Sequence, residues 1–210
     1  HADMEKSVYG RGFQHQDGDH LKLNLTSKVS YGKKNAKLGK GRKTIKTFKL
    51  FDDFSLEPVQ KKSAESKPDM AVTLIVGMKE SDDAIPMGVV NGTTFKAPLT
   101  PPILTMKSEN DTTIMDPKVY GPNSNAVVAP YNHTVELKLV SGGGEHPFHL
   151  HGTQFQLVER MQNASLPHTK VTVRENPMRR DTVIIPNGGS VTIRFRADNP
   201  GAWIMHCHMD

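Results

Sequence analysis

Val135-Glu136-Leu137-Lys138-Leu139 alternates apolar and charged side chains with a period of two. Successive side chains of a strand point to opposite faces, so the three apolar residues share one face and Glu136 and Lys138 the other. The pattern recurs outward from this run. Val191, Ile193 and Phe195 share a face, with Thr192, Arg194 and Arg196 opposite. Phe155 and Leu157 stand against Gln154 and Gln156, and Ala71 to Val76 is apolar and β-branched. Turn clusters separate these runs: Ser141-Gly142-Gly143-Gly144, Pro186-Asn187-Gly188-Gly189 and Asp198-Asn199-Pro200-Gly201. No helix of ten or more residues can be drawn. Short strands between Gly/Pro turns predict an all-β chain, a sandwich or a barrel.

Directly after this strand and its glycine turn comes His146-Pro147-Phe148-His149-Leu150-His151, and near the end of the sequence comes His206-Cys207-His208. Five of the ten histidines and the only cysteine fall in these two segments. If residues 206–208 are extended, His206 and His208 point to one side and Cys207 to the other. One strand end can then serve two metal sites back to back, joined by a few covalent bonds. His149 and His151 share a face in the same way, and Pro147 is expected to interrupt the alternation and free His146 to face elsewhere. Thiolate with imidazole suits a copper electron-transfer site with two histidines and one cysteine. Structural zinc favours paired cysteines. A cupin-type site would want a glutamate soon after His151, where Thr153, Gln154, Phe155 and Gln156 follow. His1, His15, His20, His133 and His168 stand apart and read as structural or exposed, and Trp203 reads as core.

The 210 residues suffice for one domain with part of another. Residues 1–69 carry fifteen Lys/Arg against nine Asp/Glu, whereas residues 70–210 carry twelve against thirteen. The basic excess lies in Lys33 to Lys49, which holds eight basic residues and no acid. No aromatic stacking pattern accompanies it, so it reads as a solvated loop rather than a nucleic-acid surface. A polar stretch, Lys61 to Asp69, reads as a linker. The expected organisation is therefore residues 1–50 as the end of a preceding domain, 51–69 as a linker, and 70–210 as the main domain. Five Asn-x-Ser/Thr sequons, at Asn24, Asn91, Asn110, Asn132 and Asn163, take up nearly half of the eleven asparagines. They point to a glycoprotein of the secretory pathway, secreted or on the outer face of the plasma membrane.

The segments His146-Pro-Phe-His-Leu-His-Gly152, Met178-Arg-Arg-Asp-Thr-Val183 and Asn199-Pro-Gly-Ala-Trp203, the last leading into His206-Cys207-His208, resemble the C-terminal cupredoxin domain of multicopper oxidases. The resemblance is to the fungal laccase and iron-transport ferroxidase branch, and covers roughly residues 50–210. It implies a Greek-key cupredoxin sandwich preceded by the tail of another cupredoxin domain. It implies that His146 and Cys207 ligate a type 1 copper, that His149 ligates type 2 copper, and that His151, His206 and His208 ligate the type 3 pair. Cys207, His206 and His208 would carry electrons to the trinuclear cluster, where dioxygen is reduced to water. The reductant would be a phenol, a related organic molecule or ferrous iron.

The same resemblance carries further expectations. The family places a second type 1 histidine five residues after the cysteine, at position 212, and four trinuclear histidines in an N-terminal domain. The chain is thus expected to be a fragment, inactive alone, that works with the remaining domains of a parent protein. Fungal ferroxidases carry an acidic residue four positions before the first type 1 histidine and a tyrosine after an Asn-x-Thr element. Gly142 and Phe95 stand there in this sequence. Glu145, beside His146, is the remaining candidate for drawing a cationic reductant to the copper edge. The competing expectations are a stand-alone copper-binding or electron-transfer cupredoxin, and a fragment with no activity.

Overall fold

The computed structural model describes residues 56–65, 67–162 and 175–209, together with the backbone of the strands Ala2–Asp3, Asn24–Leu25 and Lys170–Thr172. The chain divides into two compact units, residues 1–51 and 52–210. In the first, β1 (Ala2–Asp3) pairs antiparallel with β2 (Asn24–Leu25). The basic run Lys33 to Lys49 lies outside the described residues.

The second unit is built from two sheets. The larger joins β3 (Met70–Glu80), β4 (Pro86–Val90), β5 (Thr134–Ser141), β7 (Phe155–Met161), β8 (Lys170–Thr172), β9 (Arg179–Arg180) and β11 (Ser190–Arg196). Its order is β4-β3-β5-β11-β7-β8, with β9 also paired to β7. All its ladders are antiparallel except β3 with β5, which run parallel. The smaller sheet has the order β10-β6-β12, formed by β6 (His146–Leu150), β10 (Thr182–Ile185) and β12 (Met205–Cys207). Between β4 and β5 lie a seven-residue helix, α1 (Pro102–Ser108), and two 3-10 turns, Thr113–Met115 and Pro117–Tyr120. Pro102 starts α1 where its missing N–H costs nothing.

The alternation read from sequence sets the core. Val135, Leu137, Leu139, Phe155, Leu157, Val191 and Ile193 of the larger sheet form one buried cluster with Phe148, Leu150, Val183 and Ile185 of the smaller. Burying each such side chain contributes about 1.5–3 kcal/mol. The two sheets therefore face each other as a sandwich, as expected.

The outer face of the larger sheet is less open than the alternation suggested. Residues 58–65, within the stretch expected as a linker, run across it. Glu65 N–H donates to Gln156 Oε1 at 2.6 Å, and Gln156 Nε2 donates to the Ser63 carbonyl at 2.9 Å. Asn176 Oδ1 accepts from Lys62 N–H at 3.0 Å, and Arg179 donates to the Gln60 carbonyl at 3.1 Å. Glu65 pairs with Arg196 at 2.9 Å and with Lys62 at 3.0 Å. Gln156, read as outward-facing, is consequently only 2 % exposed, with its amide satisfied by the segment that covers it.

Candidate metal centre

β6 sits in the middle of the smaller sheet, and the β6–β12 register decides which histidines meet. His206 lies opposite His149, and Cys207 opposite Phe148. His151 N–H donates to the Ile204 carbonyl at 3.0 Å, and His208 N–H to the Pro147 carbonyl at 2.7 Å, which extends the pairing at both ends. His149, His151, His206 and His208 thus come together on the outer face. Their ring centroids are 4.5 Å apart for His149–His151, 5.2 Å for His151–His206, 5.6 Å for His206–His208 and 6.2 Å for His149–His208.

The opposite face of the same strands is the core. His146, Phe148 and Leu150 are buried, and Cys207 packs against that cluster. Pairing with Phe148 puts Cys207 on the face that His146 shares, one diagonal step along the ladder. The expectation that Pro147 breaks the alternation is corrected. β6 runs unbroken through Pro147, and a spacing of three residues alone sends His146 and His149 to opposite faces. The His146 ring reaches the Gly143 carbonyl with Nε2 at 2.7 Å.

Two of the outer histidines have fixed tautomers. His149 Nδ1 lies 2.9 Å from the Asp181 carbonyl, and His206 Nδ1 lies 2.9 Å from the Cys207 carbonyl. A carbonyl only accepts, so each Nδ1 carries a proton, and in the neutral ring it is Nε2 that offers the lone pair. Thr182 Oγ1, 3.3 Å from His149 Nδ1, supports the same ring. Metal-binding histidines are typically oriented this way, with the second nitrogen donating to a carbonyl. Asp181 and Thr182 stood in the sequence only as part of the Met178 to Val183 motif, without a role, because only the β10–β6 register brings Thr182 opposite His149.

The His151 and His206 Nε2 atoms face each other at 3.1 Å. Two imidazole nitrogens about 2.0 Å from one ion, at roughly a right angle, stand about 3 Å apart, so the pair fits a shared ion. Desolvation, and then the neighbouring charges of His149, His206 and His208, lower the proton affinity of His151, which favours the neutral, ligating form. Among the described residues, no three His, Cys, Asp or Glu side chains converge closely enough to enclose an ion unaided. The donor types, the fixed tautomers and the facing pair suit copper, although the four rings alone do not close a cage.

Glu145 is exposed and lines a cavity of about 350 Å³ with Arg160, Gln162 and Asn187. Asn187 Oδ1 also accepts from Gly144 N–H at 3.0 Å, so the cavity borders the turn that touches His146. At Gly142 a Cβ would lie 2.9 Å from the Val76 carbonyl oxygen, and the Gly142 N–H already donates to that oxygen at 2.6 Å. An acidic side chain there would require this backbone contact to shift. Trp203, expected in the core, is 49 % exposed. It lies at the surface because its indole covers Gly152, beyond the end of β6.

Fold and site together define a β-sandwich domain that presents four imidazoles on one face of a strand pair and a cysteine on the other. The sequence profile of the multicopper oxidase family matches residues 95–210, and the chain belongs to that family. Iron multicopper oxidase fer1 of Mycosarcoma maydis is 34% identical over 216 residues, covering 100% of this chain and 33% of that protein. Iron transport multicopper oxidase FET3 of Saccharomyces cerevisiae is 33% identical over 201 residues, covering 90% of this chain and 31% of that protein. The crystal structure of Fet3p, a multicopper oxidase that functions in iron import, superposes with a TM-score of 0.69 at 30% identity, covering 91% of this chain and 35% of Fet3p. That likeness bears out the expected all-β, cupredoxin-like sandwich. The chain spans about a third of the length of the relatives it matches. Members of the family bind type 1, type 2 and type 3 copper.

Proposed function

We propose that this chain supplies the cysteine-bearing half of the copper centres of a multicopper oxidase that oxidises phenols or ferrous iron one electron at a time. The observation that carries the reading is the pairing of His206 with His149 on one face of β6–β12 while Cys207 meets Phe148 on the other. In this reading His146 and Cys207 hold type 1 copper, His149 holds type 2 copper, and His151, His206 and His208 hold the type 3 pair. Bound copper supplies one-electron oxidation of the reductant and the four-electron, four-proton reduction of dioxygen to two waters.

The chain's own residues give these ions a fixed frame. Asp181 and Cys207 carbonyls orient His149 and His206 with Nε2 outward. Cys207 and His146 stand on the core side of the β6–β12 pair, whose backbone separates them from the outer imidazoles. Between the Cys207 thiol and the His206 ring lie only the bonds of two adjacent residues, with the His206 Nδ1–H···O=C hydrogen bond of Cys207 as a shorter branch. The cavity beside Glu145 supports a role for that carboxylate in holding a cationic or hydroxylic reductant near His146.

Iron as reductant is supported by the relatives' names and opposed by the backbone at Gly142. Dioxygen uptake by the whole polypeptide carrying this sequence, measured with ferrous iron and with a phenol, tests the function. Uptake with neither reductant would overturn it. A copper titration of the 210-residue chain tests the alternative: an intense blue absorption near one equivalent favours a self-sufficient electron-transfer cupredoxin. We further place the protein on the secretory route. Three sequon asparagines, Asn91, Asn110 and Asn132, are exposed, while the side chains of Asn24 and Asn163 lie outside the described residues. No helix among the described residues is long and apolar enough to cross a membrane. A mass shift on enzymatic deglycosylation of the secreted protein checks this.

A further inference from the structure

Beyond β6 the chain turns sharply at Gly152, whose φ is +76°. A Cβ on this residue would lie 2.1 Å from Trp203 Cδ2, so the indole rests directly on the glycine backbone. A Cβ at Gly201 would lie 3.1 Å from Trp203 Cε2. Two hydrogen bonds lock this stack. Asn199 Nδ2 donates to the Gly152 carbonyl at 2.7 Å, and Trp203 Nε1 donates to the Asn199 carbonyl at 2.9 Å. The neighbouring His151 N–H donates to the Ile204 carbonyl at 3.0 Å. The residue after His151 is thereby tied to the residues just before His206.

Burial does not account for this arrangement, because the indole is 49 % exposed and stands outside the buried core cluster. The clamp instead acts where the two Nε2 atoms face each other at 3.1 Å. We propose that Trp203 and Asn199 are positioning residues that hold His151 against His206 before an ion arrives. Ligands fixed in advance spare the ordering cost that binding would otherwise carry. The proposal rests on the copper reading only for the identity of the ion.

The test uses the full 210-residue chain, free of metal and then titrated with Cu(II). A nuclear Overhauser contact between the His151 and His206 rings is expected in the wild type. Trp203→Phe, which keeps a ring over Gly152, should retain it. Trp203→Ala and Asn199→Ala should lose it, with the amide spectrum of β5, β7 and β11 unchanged. Copper affinity should fall about tenfold in both alanine variants, in the range that removal of supporting partners produces. Retention of both the ring contact and the affinity in the alanine variants overturns the proposal. So does absence of the contact in the wild type. Should Trp203→Ala disturb the sandwich, Asn199→Ala decides by the same two readouts. If the wild type shows no copper uptake that depends on His151 and His206, the copper reading fails, and the ring contact still decides the clamp.

Discussion

His149 and His206 are partners across the β6–β12 ladder, and their rings stand edge to face with centroids 5.7 Å apart. Nothing local in the sequence brings them together. The ladder does, and the hydrogen bonds from their Nδ1 atoms to the Asp181 and Cys207 carbonyls then aim both Nε2 atoms outward.

Removal of one ring of this set is therefore expected to be felt as lost metal affinity. His206→Ala should weaken Cu(II) binding by at least about tenfold, as loss of even a supporting partner does. His133→Ala, just before β5 of the larger sheet, should leave it unchanged. Isothermal titration of both variants checks this.

The segment 58–65 gives a pH-dependent expectation. Burial alone would raise the Glu65 carboxyl, but hydrogen bonds and charge from Lys62 and Arg196 outweigh it and hold the group below its ordinary value of 4.5. A carboxylate lowered in the folded state adds stability above its unfolded pKa, and loses it as pH falls through the folded value. Glu65→Gln should cost about 1 kcal/mol at pH 7, since its partners are partly exposed. The difference should shrink below pH 4.5 and vanish once both proteins carry a neutral side chain. Urea unfolding across that range measures it.

Phe155 is fully buried between the sheets. Phe155→Ala should destabilise the sandwich by about 3–5 kcal/mol through lost burial and the cavity left behind. Denaturant unfolding gives the value, and an unchanged midpoint would contradict the facing-sheet core.

Gly142→Asp would place an acid four positions before His146. Its Cβ would press on the Val76 carbonyl at 2.9 Å. The substitution should cost about 1–3 kcal/mol, as other overpacking changes do, visible as a lower thermal midpoint.

Much of the site was legible because strand alternation is a local rule. It placed His206 and His208 on one face and Cys207 on the other, and by itself it sends His146 to the face opposite His149, with no break at Pro147. Trp203 was misread because a large apolar side chain usually goes inside, whereas here two glycines open a surface slot for the indole. Residues 61–65 looked like a linker because they are polar. Their partners Gln156, Asn176 and Arg196 are distant in sequence and carry no pattern that points back to them.

The sequence by itself determined which residues alternate, where the turns fall, and that imidazoles and one thiol crowd into two short segments. These are matters of nearest-neighbour geometry and side-chain chemistry. Only the tertiary structure decided that His206 stands opposite His149, that His151 and His206 meet nitrogen to nitrogen, and that Asn199 and Trp203 tie the two segments together. Register between distant strands is set by the fit of the whole core, and no short stretch of sequence contains it.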